Sequence, residues 1–295
     1  MSDNYDDMVV IRPPSEASSF LLPLTIGCSH NKCTFCDAYL GVKFRIRDLD
    51  DIKHNIDAVA RNYSRSVRRV FLENGDALIC PQLMLVEILK HLSQKFPYLE
   101  RVGTYATPRS ALIKSVDELK ELNRLGLKIA YLGAESGDEE VLRKVKKGAT
   151  YEEIVEAGKK LKQAGITTSI TVILGLAGVE GSETHAIKTG RMLSEMDPDF
   201  AGALTLMLTP GTELHKDWAE GRFKLISPFQ SLVELKLIIQ NSDFTNCFFT
   251  ANHASNYLPI KVRLPEQKAE VIRLLDEVLK KRDMSQLRPE YIRAL

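Results

Sequence analysis

The chain has 295 residues, with 40 Lys and Arg against 39 Asp and Glu, a net charge of +1, and it is 44% apolar and 27% charged. That composition excludes a disordered chain, and near-neutrality argues against a general polyanion binder, so nucleic acid is disfavoured as a partner. No run approaches the roughly 18 consecutive apolar residues of a membrane span.

Residues 1–17 are polar, carry Pro13 and Pro14, and read as a flexible lead. The acidic start MSDNYDDMVV lacks the basic-then-apolar layout of a signal peptide, so the expectation is a cytoplasmic protein without a membrane partner. Short apolar runs then alternate with segments of helical period. Predicted strands are Phe20–Ile26, Val70–Leu72, Arg101–Ala106, Lys128–Leu132, Ile166–Leu174 and Ala203–Leu208. Predicted helices are Pro81–Lys95, Val116–Leu125, Tyr151–Ala164 and Glu183–Met196. Gly126 and Gly165 fall where a helix-ending glycine is expected, and Thr150 with Glu153 forms a capping-box pattern. Alternating strands and helices give an α/β fold with a parallel sheet, and right-handed connections curl six such units into a partial (β/α)6 TIM-like barrel. Its chemistry belongs at the C-terminal ends of the strands. Beyond Leu208 the rhythm changes. Pro228–Ile239 and Pro265–Lys281 read as helices, and Phe248–Pro259 as an irregular link between them. The expected organisation is a lead at 1–17, a barrel at 18–220 and a mainly helical C-terminal extension at 221–295 that caps it.

Three of the five cysteines, Cys28, Cys33 and Cys36, follow the first predicted strand with the spacing C-x4-C-x2-C. In a reducing compartment this pattern reads as a metal or redox site and not as a disulfide staple. Structural zinc wants four closed ligands and would have to recruit His30 or a distant residue. A cubane held by three thiolates leaves one iron open, which is what chemistry needs. Cys80 and Cys247 are isolated and read as buried apolar residues, so one cluster is expected.

With Phe35 as the aromatic before the last cysteine, this loop resembles that of the radical S-adenosylmethionine (SAM) superfamily, whose usual spacing is C-x3-C-x2-C. The resemblance implies a [4Fe-4S] cluster whose unique iron binds the amino and carboxylate groups of SAM. It also implies an electron donor such as flavodoxin or ferredoxin, and reductive cleavage to a 5′-deoxyadenosyl radical that abstracts hydrogen from substrate. Leu72-Glu73-Asn74-Gly75-Asp76-Ala77 is similar in position to the family's Gly-Gly-Glu-type motif, which receives the SAM amino group; Gly75 and Asp76 are its candidates. Leu132-Gly133-Ala134-Glu135-Ser136-Gly137 and the following DEEVLRKVKKG resemble the signature of methylthiotransferases, oxygen-independent coproporphyrinogen oxidases and anaerobic porphyrin cyclases. That match implies a ribose contact for Glu135, places Ser136 in the cofactor set, and gives Lys147 the SAM carboxylate, with Arg143 second in line. The strand through Thr171 and Ile173 resembles the one lining ribose and adenine, and Leu204–Leu208 with Thr209-Pro210-Gly211-Thr212 resembles the family's PGT turn. Gly175, Gly178 and Gly181 do not have dinucleotide-fingerprint spacing.

Tyr105 stands where some relatives place a glutamate, so Tyr105 or Arg109 is a candidate to face substrate. Asn252–Pro259 carries His253 and Tyr257, the remaining catalytic candidates. The expected substrate is a small molecule or peptide. A tRNA-modifying enzyme and a non-catalytic metal-binding protein are the alternatives; short basic clusters such as Arg65–Arg69 do not outweigh the overall charge.

Overall fold

The structure is a computed structural model that describes residues 11–294; the acidic N-terminal run and most of the predicted lead lie outside the described residues. The chain divides into two compact units.

The first unit takes the described residues to Asn31 with Cys36–Leu132 and Lys160–Thr167. It opens with a 3-10 turn at Pro14–Glu16, followed by β1 (Phe20–Pro23), β2 (Thr25–Ile26), β3 (Arg45–Ile46) and α1 (Leu49–Tyr63). Then come β4 (Arg69–Glu73), α2 (Gln82–Lys95), β5 (Arg101–Ala106), α3 (Pro108–Leu112), α4 (Val116–Arg124) and β6 (Leu127–Glu135). β1, β4, β5 and β6 pair in parallel, with Leu22 opposite Leu72 and Leu72 opposite Thr104. β4 is buried at four of its five residues, the mark of a parallel strand covered on both faces. α2 buries Leu85, Val86, Ile88, Leu89 and Leu92, one face of a helical period. α4 starts in a reciprocal Ser115–Glu118 capping box.

One sheet face carries Phe71, Tyr105 and Tyr131, whose rings meet edge to face at 4.9 to 6.2 Å. Gly103, opposite Phe71, makes room for them; a Cβ there would lie 3.1 Å from both the Phe71 ring and Ile129. Glu16 in the opening turn is fully buried, accepts from the Tyr131 hydroxyl at 2.5 Å, and pairs with Arg101 at 2.7 Å.

The second unit comprises Lys32–Phe35, Gly133–Lys159 and the chain from Thr168 onward. Its elements are α5 (Glu139–Lys144), α6 (Tyr151–Gln163), β7 (Thr167–Leu174), α7 (Gly178–Met196), β8 (Phe200–Thr205), α8 (Glu213–Ala219), α9 (Pro228–Gln240), β9 (Cys247–Thr250), β10 (Lys261–Leu264) and α10 (Lys268–Lys281). β7, β8 and β9 are parallel and β10 returns antiparallel, with Val262 opposite Phe249. The eight-strand sheet runs β1-β4-β5-β6-β7-β8-β9-β10, so the fold is α/β with a mostly parallel sheet. No helix among the described residues is long and apolar enough to cross a membrane.

The expected alternation holds, with local corrections. Predicted strand Phe20–Ile26 is two strands, because β1 pairs with β4 while β2, beyond Leu24, pairs with β3. Predicted strand Ala203–Leu208 runs instead over Phe200–Thr205; the apolar pattern continues because Leu206 and Leu208 fill a cluster after the strand has ended. α7 starts five residues before Glu183, taking in Gly178 and Gly181. The link Phe248–Pro259 contains most of β9, a four-residue strand too short to show alternation in sequence. The Thr150–Glu153 capping box and the positive-φ glycines Gly126 and Gly165 form as expected.

α7 and α9 pack closely at Gly190, where a Cβ would sit 2.6 Å from the Ile238 carbonyl oxygen and 3.0 Å from Asn241 Cβ. Backbone cannot yield as a flexible side chain does. Gly190→Ala should therefore destabilise the protein by about 1–3 kcal/mol, read as a lowered Tm in thermal unfolding followed by circular dichroism.

Candidate active site

The cysteine loop spans the connection between β2 and β3, which pair antiparallel and hold its ends together. Gly27, at φ +77°, turns the chain out of β2, a conformation that favours glycine. Asn31 donates its side-chain amide to the carbonyls of Tyr39 at 2.8 Å and Val42 at 3.2 Å. Cys28 and Cys33 are half-buried, Cys36 is exposed, and none is in a disulfide. Among the described residues no group of three or more His, Cys, Asp or Glu side chains is arranged as a ready metal site. Thiolate sites commonly close around the metal itself, so the donor chemistry and its surroundings are the informative features.

Those surroundings are closely packed. Gly75 lies against the loop so closely that a Cβ would be 2.9 Å from Cys28 Cβ and 2.8 Å from the Tyr39 ring. Asp76 is fully buried and accepts from the Ser29 hydroxyl, from the Thr107 N–H at 3.2 Å and from the Thr107 hydroxyl at 3.0 Å. Burial raises its carboxyl and these hydrogen bonds oppose the rise. Thr107 also caps α3, so Asp76 ties the start of the cysteine loop to the end of β5.

Glu73 ends β4 and is fully buried, yet neither carboxylate oxygen has a hydrogen-bond partner. Burial pushes its carboxyl up to about 7, with Arg12 opposing through space. Tyr39 is raised by burial, then by Glu73, Cys28 and Cys36, which places one phenol in the field of all three. Tyr105 is half-buried in the aromatic face, and burial, Tyr39 and Glu73 raise its hydroxyl.

In the second unit, Phe35 packs on Val141, Val145, Leu176, Leu206 and Leu214, and the neighbouring Thr34 donates its N–H to the Val145 carbonyl at 3.0 Å. Glu135, at φ +67°, and Lys147 form an ion pair at 2.9 Å with side chains 12% and 10% exposed. The two residues expected to meet different groups of SAM thus meet each other here. A Cβ at Gly133 would crowd the Glu135 carboxylate, the far end of a side chain that can shift.

Ser136 is buried and shares a hydrogen bond with His185 Nδ1 at 2.8 Å, while its Oγ accepts from the Asp138 N–H at 2.9 Å. His185 Nε2 lies 3.0 Å from the Ile173 carbonyl, which fixes the proton on Nε2 and leaves Nδ1 as acceptor. Burial lowers His185 to about 4, so the ring is neutral near pH 7. Glu234 of α9 accepts from the Gly175 N–H at 2.7 Å and the Ser182 hydroxyl at 2.6 Å, and burial pushes it up to about 7. Thr171 and Ile173 share the half-buried face of β7, Ile173 reaching the same apolar cluster as Phe35.

Arg109 and Arg143 are exposed, and Cys80 and Cys247 are buried. His253 is half-buried with Nδ1 3.0 Å from the Ser255 hydroxyl. The Tyr257 hydroxyl donates to Glu290 at 2.8 Å and accepts from Arg293 at 2.5 Å. Tyr257 and Arg293 line a cavity of about 400 Å³ with Thr205, Leu206, Met207 and Trp218, large enough for a small ligand. Sequence reasoning missed Glu73, Tyr39, His185 and Glu234. Glu73 carried a signal, a charged residue closing the apolar run of β4; the others became visible only by their neighbours.

Two predictions follow from these buried carboxyls. Asp76→Ala strands the donors of Ser29 and Thr107, at a cost of about 1–3 kcal/mol, read by denaturant unfolding. For Glu234, the folded pKa of about 7 exceeds the ordinary 4.5, so its contribution to stability is full below about 4.5 and is lost as pH rises through 7. Glu234→Gln should therefore show a shallower decline of Tm between pH 4.5 and 7 than the wild type; identical slopes would place the titration elsewhere.

The Radical SAM superfamily profile matches residues 22–188. A tRNA uridine(34) acetyltransferase of Methanocaldococcus infernus is 22% identical over 244 residues, covering 67% of this chain and 44% of that protein. A probable threonylcarbamoyladenosine tRNA methylthiotransferase of Methanocaldococcus jannaschii is 32% identical over 139 residues, covering 45% of this chain and 31% of that protein. The chain thus spans less than half the length of these curated relatives. Coproporphyrinogen III oxidase from Escherichia coli superposes with a TM-score of 0.56 at 21% identity, covering 75% of this chain and 51% of that one, a likeness of fold. The expected partial-barrel fold and cysteine spacing agree with these likenesses, and the chain belongs to the Radical SAM superfamily.

Proposed function

We propose that the protein is a radical SAM enzyme acting on a small molecule or peptide, with Cys28, Cys33 and Cys36 holding one [4Fe-4S] cluster. The observation that carries this reading is the three-thiol loop with Gly75 backbone pressed against Cys28, inside the region that matches the family. When bound, the cluster supplies the electron that cleaves SAM to a 5′-deoxyadenosyl radical able to take hydrogen from substrate.

The chain's own residues bind and orient. Gly75 keeps the space beside Cys28 clear of a side chain. Lys147 offers a positive charge to the SAM carboxylate and Glu135 an acceptor to the ribose; their mutual pair holds both side chains in place beforehand. Ser136 steadies the turn after β6 through His185. Thr171 supplies a hydroxyl, and Phe35 and Ile173 apolar surface, for the nucleoside. Tyr105 faces substrate. Residues 221–295 form the cap over the barrel of residues 18–220, with His253 and Tyr257 on its loop, and exclude water and stray hydrogen donors. Flavodoxin or ferredoxin delivers the electron, and the enzyme works in the cytoplasm.

A tRNA substrate is the second reading, favoured by the names of the two curated relatives. Salt-dependent retention of tRNA at physiological ionic strength would support it over the first.

Anaerobic reconstitution should give about four iron and four sulfide per chain for one cubane, and far less in Cys28→Ala, Cys33→Ala or Cys36→Ala. Stoichiometric zinc without sulfide would sink the cluster assignment. Lys147→Ala should keep its iron but bind SAM about tenfold or more weakly by calorimetry, the loss expected for one charge-assisted hydrogen bond. Unchanged affinity would show that Lys147 does not meet the carboxylate.

A further inference from the structure

The cavity of about 400 Å³ at the C-terminal end of β8 is built entirely from the second unit. Leu206 and Met207 follow the strand, His215 and Trp218 come from α8, and Leu225 and Ile226 from the connection to α9. The His215 and Trp218 rings lie 5.5 Å apart. Trp218 and Leu225 are large apolar side chains left exposed, and both line this concavity, where a ligand would cover them. Exposed apolar surface inside a concave site marks a place for the apolar body of a ligand.

The polar wall of the cavity is three side chains bonded to one another: Tyr257, Glu290 and Arg293. The Arg293 side chain is 4% exposed, and its guanidinium lies over the Tyr257 ring, 4.1 Å from the centroid. It donates to the Ser255 carbonyl at 2.7 Å, to the Leu206 carbonyl at 3.3 Å and to the Tyr257 hydroxyl at 2.5 Å. The fork is therefore fixed in place by the fold itself. Arg288 pins the same loop by donating to the carbonyls of His253, Ala254 and Asn256. Among the described residues, the anion that Arg293 pairs with is Glu290, whose side chain is 70% exposed. One Glu290 oxygen accepts from Arg293 and the other from the Tyr257 hydroxyl at 2.8 Å. Burial pushes the Tyr257 phenol up to about 12, so it stays a donor near pH 7.

A buried guanidinium and a phenol thus make a two-point seat for a carboxylate on the wall of a cavity, and the carboxylate now in it belongs to an exposed side chain. Such a side chain gains little from the pair, because water competes for it and it loses rotamer freedom. A ligand that fills the cavity brings a carboxylate to the same two donors and also covers Trp218 and Leu225, while Glu290 returns to water at small cost. We propose that Arg293 and Tyr257 anchor the carboxylate of a small-molecule ligand with an aromatic or aliphatic body, and that Glu290 holds their place until it binds. Naming this ligand the substrate rests on the proposed radical SAM function; the binding site itself does not.

Trp218 is the single tryptophan of the chain, so its fluorescence reports occupation of the cavity. The full-length, anaerobically reconstituted protein is titrated, without SAM, with 4-phenylbutyrate and with its neutral amide, 4-phenylbutyramide. A fragment of about a dozen heavy atoms is expected to bind at about millimolar. The wild type should bind the acid about tenfold more tightly than the amide. Glu290→Ala should tighten the acid about twofold to fivefold, the worth of an exposed ion pair no longer competing, and leave the amide unchanged. Tyr257→Phe and Arg293→Met should each weaken the acid, Arg293→Met by about tenfold or more, with the amide again unchanged. Should Arg293→Met fail to fold, Glu290→Ala and Tyr257→Phe carry the comparison. Equal affinity for acid and amide overturns the proposal, as does a Glu290→Ala variant that binds the acid no better than the wild type, or the absence of any response to the acid in both proteins. The titration needs neither an electron donor nor SAM cleavage, so its failure leaves the cluster and SAM assignments standing. Conversely, a protein that held zinc without sulfide and still bound the acid would keep the anchor and lose only the radical reaction.

Discussion

Asp76 is a carboxylate buried among three donors, and the position of the cysteine loop follows from it. Ser29 is next to Cys28 in the chain, and Thr107 caps the helix after β5. Joining them through one acceptor fixes where the loop begins relative to the strand ends. The geometry also explains Gly75. The residue before Asp76 must pass within contact distance of Cys28, and a side chain there would push the loop away. The three-thiol loop is thereby anchored by a buried acid.

The second unit solves a similar problem with a neutral imidazole and a buried acid. His185 links the turn at Ser136 to the backbone of β7, and Glu234 reaches from α9 to the Gly175 N–H at the end of the same strand. A segment outside the family match, α9, therefore helps to shape the end of β7. Burial keeps His185 uncharged and raises Glu234 to about 7, so neither group holds its full charge at pH 7. The Glu135–Lys147 pair, by contrast, keeps opposite charges close together with slight exposure, where a ligand able to satisfy both can compete with the pair.

Much of this protein was legible in its residues. The rhythm of apolar runs and helical patterns determined an α/β fold, because strand and helix periods are local properties of the chain. Rare residues at fixed spacing, Cys28, Cys33 and Cys36 with Phe35, carried the family resemblance. The caps at Thr150, Gly126 and Gly165 were also readable, since each needs only a few neighbours in sequence. What only the tertiary structure decided depends on distance in the chain. Ala203–Leu208 could not reveal its register, because an apolar side chain looks the same in a strand and in the cluster beyond it. β9 was too short to declare a period, and only pairing with β8 and β10 makes it a strand. Asp76 and Glu73 are both acids in one motif. Which of them is occupied by the fold was set by Ser29 and Thr107, 47 and 31 residues from Asp76, and no local pattern encodes those contacts.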